Sequence, residues 1–202
     1  AQAIGIDGKQ ISTYTQKLER LRLITREVPI TEEKAKSRRG RYRMLDPLFR
    51  FWFRFVYGKE DRYERLGENT YDAVIEPELP DFVSHEFERL CQDALPSLYP
   101  DKVFLGLGRW WYKEHEVDVV GFTTDGTMVV GECKFTNAPL DYRALASLED
   151  HAAEIRWAPD TDEKNTEYAL FTRNGATQSI QEAVSERDDV RLFDLKDVTK
   201  HA

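Results

Sequence analysis

Two valine-rich runs, His115 to Phe122 and Thr127 to Phe135, are separated only by Thr-Thr-Asp-Gly. That pattern commits the middle of the chain to a β-hairpin. Each run also carries charge where a sheet interior is apolar: Asp118 lies amid Val117, Val119 and Val120, and Glu132 and Lys134 follow Val129, Val130 and Gly131. Charges in such surroundings need a partner or a task. In a regular strand Met128, Val130, Glu132 and Lys134 share one face, and Val129, Gly131, Cys133 and Phe135 the other. Whether Asp118 joins Glu132 depends on the turn, since a slip of one residue inverts the faces. A two-residue turn at Asp125-Gly126 pairs Asp118 with Cys133. A three-residue loop, Thr124-Asp125-Gly126, with Gly126 in the left-handed region, pairs Asp118 with Glu132, and this is the expected form. Two carboxylates beside a lysine suit a hard divalent cation bound through oxygen, and phosphodiester hydrolysis is the reaction those parts serve best. The competing reading is an ordinary cross-strand ion pair at a sheet edge.

The surrounding pattern is that of a mixed α/β domain. From Asp81 to about Pro96, Val83, Phe87, Leu90, Cys91 and Ala94 recur at helical spacing. A strand is expected from about Val103 to Tyr112 ahead of the hairpin. Behind it come a helix from Leu140 to Ile155, a strand from Tyr168 to Phe171, a helix from Thr177 to Ser185 and a strand from Val190 to Phe193.

Upstream the character changes. Residues 1–66 hold 16 Lys plus Arg against 9 Asp plus Glu, a net of +7, whereas residues 67–202 hold 13 against 28, a net of -15. The overall charge of -8 therefore conceals a basic module joined to an acidic one. Ser12 to Leu23 predicts an amphipathic helix through Tyr14, Leu18 and Leu21, capped by Ser12 or Thr13. A strand from Ile24 to Ile30, a charged loop from Thr31 to Gly40 and a strand from Arg41 to Leu45 follow. This is the order of a winged helix, in which Lys17 and Arg20 on the helix and Lys34, Lys36, Arg38 and Arg39 on the loop would meet nucleic-acid phosphates. Asp46 to Tyr57, DPLFRFWFRFVY, predicts a helix capped by Asp46 and started by Pro47, apolar all round except for Arg50 and Arg54, and hence buried between two layers. The expected division is 1–45 for the winged-helix-like part, 46–78 for the aromatic helix and connector, and 79–202 for the α/β domain.

The remaining exclusions are brief. No run approaches the roughly 20 apolar residues of a membrane-spanning helix, and no signal peptide is visible. Cys91 and Cys133 are distant in sequence and show no metal-binding spacing, which favours a reducing, cytoplasmic setting. The first residues lack an initiator Met and resemble the middle of a helix-turn segment, so a fragment is expected.

Asp118, thirteen intervening residues and then Glu132-Cys133-Lys134 resemble the signature of the PD-(D/E)XK phosphodiesterases. RYRMLDPLFRFWFRFVY, SHEFERLC, EVDVVG and VVGECKF together are similar to the domain C-terminal to archaeal-type P-loop ATPases of the DEXX-box group. That resemblance, over residues 10–202, implies a winged helix followed by a restriction-endonuclease-like mixed sheet flanked by helices. It implies Glu88 on the first nuclease helix, rather than Glu86, as a further catalytic and metal-binding carboxylate. With it come Mg2+ or Mn2+ held by Glu88, Asp118, Glu132 and the backbone carbonyl of Cys133, and Lys134 acting on the reacting phosphate. Glu116 could assist, and Asp141, Tyr142 and Arg143 are further polar candidates. The resemblance also implies DNA as substrate and an ATPase module or partner, although no phosphate-binding Gly-Lys-Ser/Thr loop, and so no ATP site, occurs in this chain. The alternative is a non-catalytic DNA-binding or interaction module on a nuclease-like scaffold.

Overall fold

The computed structural model describes residues 8–157 and 164–200. The reading of the chain's opening residues falls outside that span. Two compact units divide the chain, one ending at Ile75 and the other beginning at Glu76, with Pro29–Thr31 counted in the second.

The first unit opens with α1, Gly8–Arg20. It starts before the expected Ser12 cap, because Ile11 extends the half-buried stripe one turn upstream through Thr15 and Leu18, while Tyr14 is exposed. Its end is a Schellman turn: Arg22 takes a positive φ of 56°, and the Leu23 amide reaches back to the Leu18 carbonyl at 3.0 Å. β1, Ile24–Glu27, pairs antiparallel with β2, Arg41–Met44. The expected longer strand to Ile30 stops at Glu27, since Pro29 has no N–H to give a ladder and the Ile30 amide donates elsewhere. Arg26 organises the intervening loop by donating to the carbonyls of Lys34 and Ser37, at 2.5 and 2.6 Å.

The aromatic run departs most from expectation. α2, Pro47–Phe51, is capped by the Asp46 carboxylate as anticipated, and it opens into a π turn over Trp52–Val56. Only Phe55 in this stretch is fully buried; Leu48, Phe49, Trp52, Phe53 and Tyr57 are exposed. The helix is therefore not sandwiched between layers. Its rings cover one another along the helix, Phe51 against Phe55 at 4.9 Å and Phe53 against Tyr57 at 5.3 Å. α3, Glu60–Leu66, and short helical turns complete this unit.

The second unit carries a five-stranded mixed sheet flanked by helices. α4, Leu79–Leu98, runs through Pro96 rather than stopping there. In the last turn the ring cannot unseat much helix, because few hydrogen bonds remain to be lost. β3, Phe104–Tyr112, β4, His115–Thr123, and β5, Thr127–Lys134, form an antiparallel meander. α5, Tyr142–Ala153, crosses to β6, Asn165–Thr172, which lies parallel to β5. α6, Gln178–Glu186, crosses to the parallel β7, Val190–Asp194, and a short α7, Leu195–Thr199, follows. The sheet order is β3-β4-β5-β6-β7. One apolar layer packs Val130, Leu145, Leu148, Leu170 and Ile180, and the other packs Phe87, Cys91, Leu95, Val129 and Phe171. These are the two β5 faces that the alternation predicts. The mixed α/β architecture expected from the sequence is thus the architecture of this unit, with helix, three strands, helix and parallel strand in the anticipated order.

Candidate active site

The hairpin between β4 and β5 uses the three-residue loop. Gly121 stands opposite Val129 and Val119 opposite Gly131, and Gly126 has a φ of 82°. Thr123 Oγ donates to the Thr127 carbonyl at 2.7 Å and accepts from the Thr127 amide at 3.0 Å, closing the turn. The ladder then ends one step short of Asp118, so the expected Asp118–Glu132 pair does not form even though the loop is the expected one. On the other side of β4 the register with β3 shifts between the pairs Gly108↔Val120 and Trp110↔Val117. Two residues, Asp118 and Val119, therefore face the single Arg109, which is a β-bulge. Freed from the ladder, the Asp118 carboxylate accepts the Cys133 N–H at 3.1 Å, while Gln92 of α4 donates to the Asp118 carbonyl at 2.7 Å.

Around this bulge four carboxylates gather. Arg109 Nη2 lies 3.1 Å from Glu88, 2.8 Å from Glu116 and 3.6 Å from Asp118. Arg109 is itself placed by the edge of the sheet, where its carbonyl accepts the Ile30 amide at 2.9 Å. Glu132 pairs with Lys134 on β5. Four carboxylates against two cations leave the cluster with an excess of negative charge when all are ionised. Asp118 is pushed up to about 7 by burial first, then by the charges of Glu132 and Glu88. For Lys134, burial opposes the charge, but the hydrogen bond and charge of Glu132 and the charge of Asp118 outweigh it and hold the ammonium above its ordinary value. Glu88 Oε2 is buried and accepts no hydrogen bond, although Arg109 is close.

Glu88, Asp118, Glu132 and Lys134, named from the sequence, are thus neighbours in one charge network. Glu86 instead pairs with Arg89 at 3.5 Å. Arg109 was missed by sequence reasoning; a lone arginine in the apolar run Leu107-Gly108-Arg109-Trp110-Trp111 was its signal. Asp141 caps α5 and binds Arg143 at 2.6 Å, a local role that accounts for both. Cys91 and Cys133 are buried free thiols that meet between α4 and β5, and burial and then the Cys91 thiol drive the Cys133 thiol well up. Among the described residues, no group of three His, Cys, Asp or Glu side chains is arranged to hold a metal ion. The Arg109 guanidinium lies among the carboxylates that would have to converge.

In the first unit Lys17, Arg20, Lys34, Lys36, Arg38 and Arg39 are all exposed. Three of them meet acids: Lys34 with Glu19 at 3.9 Å, Lys36 with Glu33 at 2.8 Å, and Arg39 with Glu32. No helix among the described residues is long and apolar enough to cross a membrane.

Comparison with known proteins adds three findings. A solved structure, a repair endonuclease from Pyrococcus abyssi, aligns with 59% of this chain and 46% of its own at 19% identity and a TM-score of 0.33. An uncharacterized protein of Methanocaldococcus jannaschii is 29% identical over 123 residues, which is 58% of this chain and 27% of that protein. The chain spans well under half the length of that relative. A family profile, DUF234, described as archaea bacterial proteins of unknown function, matches residues 52–160, more than half of the chain. By that match the chain belongs to the DUF234 family.

Proposed function

We propose that this chain hydrolyses phosphodiester bonds in DNA with a divalent cation, Mg2+ or Mn2+. The observation that carries the reading is the gathering of Glu88, Asp118 and Glu132 beside Lys134, where burial first, and then the charges of Glu132 and Glu88, push the Asp118 carboxyl up to about 7. The donor chemistry suits such a cation, being hard oxygens with surplus negative charge; Arg109, 3.1 Å from the buried Glu88 Oε2, now stands where the carboxylates would have to converge. Asp118, Glu132, Glu88 and the Cys133 carbonyl would hold it. When bound, the cation would acidify a water and offset charge on the phosphate.

The chain's own groups do the rest. Lys134 stays an ammonium, so it serves as a donor to the phosphate oxygens on which charge builds, rather than as a base. Glu132 keeps that ammonium in place by its ion pair. Gln92 and the Cys133 amide fix the backbone and carboxylate of Asp118, so the bulge holds its geometry without the substrate. Lys17, Arg20, Lys34, Lys36, Arg38 and Arg39 would supply sequence-independent phosphate contacts in the manner of a winged helix. An ATPase module or partner belongs to the same reading through the family resemblance.

A second reading has one observation in its favour. Arg109 already compensates Glu88, Glu116 and Asp118, as it would in a nuclease-like scaffold that only binds DNA. Incubation of plasmid, linear and branched DNA with Mg2+ or Mn2+ separates the two. The hydrolytic reading expects cleavage by the wild type and at least a hundredfold loss, about 2.7 kcal/mol of barrier, in Lys134→Ala and Asp118→Ala. Equal activity in all three proteins, or none in any, would overturn it.

A further inference from the structure

Arg173 follows directly after β6, and its amide donates to the Lys134 carbonyl at 3.1 Å. It is exposed, and among the described residues no carboxylate pairs with its guanidinium. That guanidinium is nonetheless held in place. Its centre lies 4.7 Å from the centroid of the Phe135 ring, one residue beyond Lys134. Phe135 in turn packs against Phe87 of α4 at 5.4 Å, and Phe87 immediately precedes Glu88. Phe135 lies on the Cys133 face of β5, which α4 covers, so its ring ties the Arg173 guanidinium to the α4 side of the strand end, while the Arg173 backbone is tied to Lys134.

We propose that Arg173 is a phosphate-positioning residue, which takes a DNA backbone phosphate next to the one addressed by Lys134. The physical case has three parts. An arginine fork binds phosphate through paired donors, and a guanidinium can rest over an aromatic ring at the same time, so the Phe135 contact is compatible with phosphate binding. Stacking also removes much of the rotamer entropy that a free arginine would lose on binding. The surrounding acidic network makes an exposed, uncompensated cation at this margin useful, because a polyanion approaching Glu88, Asp118 and Glu132 is otherwise repelled. Arg143 shows the contrast. Its side chain is 93% exposed, but Asp141 already occupies its guanidinium.

The proposal rests on the hydrolytic reading for the location of the phosphates, and it can be tested apart from cleavage. The measurement is binding of a short blunt DNA duplex in chelator, as a function of salt between about 50 and 200 mM. Arg173→Ala should lower the slope of log affinity against log salt by about 0.9, the value for one lost phosphate contact on duplex DNA. Arg173→Lys should keep the slope and still weaken binding a few-fold, since the charge remains and the stacked fork is gone. Arg143→Ala should leave the slope unchanged. An unchanged slope in Arg173→Ala, an equal loss in Arg143→Ala, or a wild type that binds no duplex overturns the proposal. If Arg173→Ala loses slope while the wild type cuts no DNA with Mg2+ or Mn2+, the phosphate contact stands and the hydrolytic reading falls.

Discussion

At the scale of single residues, Asp118 and Arg109 set the electrostatics of the site. Asp118 has its carboxyl raised from 3.8 to about 7, so the fold favours the protonated form. Its contribution to stability is complete below pH about 4 and is lost as pH rises through about 7. In chelator near pH 8, Asp118→Asn is expected to be more stable than the wild type by about 1–3 kcal/mol, with the difference closing near pH 4, as read by urea unfolding at each pH. A difference independent of pH would show that Asp118 is ionised at no cost. Arg109→Met leaves Glu88, Glu116 and Asp118 facing one another, and unfolding in chelator should register a loss of about 3 kcal/mol. Asp118, Glu132 and Lys134 were legible in the sequence because charge interrupted a valine-rich alternation. Arg109 also interrupts an apolar run, but its role was not legible, because its partners come from α4 and β4 and that run does not name them. Glu88 could be told from Glu86 only through the family resemblance, since both edge the apolar stripe of α4.

At the scale of elements, strand and helix identities followed from periodicity, while two local devices did not. The bulge at Asp118 and Val119 arises from pairing with β3, a long-range fact that alternation along β4 cannot reveal. The exposure of the aromatic run was also unforeseen, since an all-round apolar helix ordinarily needs cover. Its π turn and ring-on-ring contacts replace part of that cover. Of the four tryptophans, Trp110 and Trp111 are buried and Trp52 is 45% exposed. Trp157 is half-buried, so acrylamide should quench a red-shifted component that shrinks in Trp52→Phe; unchanged quenching would place the Trp52 ring under cover. Gly131, at the head of the Gly-Glu-Cys-Lys stretch, has a packing role. A Cβ there would lie 2.9 Å from the Phe171 ring, 3.0 Å from Val119 and 3.3 Å from the Ala169 carbonyl. Gly131→Ala is expected to cost about 1–3 kcal/mol in urea unfolding, because backbone as well as side chains must shift.

At the scale of the whole molecule, the charge split survives in a narrower form. Lys34, Lys36 and Arg39 spend part of their charge on Glu19, Glu33 and Glu32, which leaves Lys17, Arg20 and Arg38 as exposed cations with no ion pair among the described residues. Replacing those three with serine should reduce the salt slope of DNA binding by about 2 to 3, and an unchanged slope would remove the basic unit from the binding account. In the hydrolytic proposal the acidic unit would carry the chemistry, and its surplus negative charge is what a divalent cation would offset. The most direct test is therefore a calorimetric titration of Mn2+ into the wild-type protein and into Asp118→Asn at neutral pH. Saturable binding to the wild type is expected, weakened at least tenfold, by about 1.4 kcal/mol, in the variant. Absence of binding to the wild type, or equal binding to both proteins, would contradict the hydrolytic proposal.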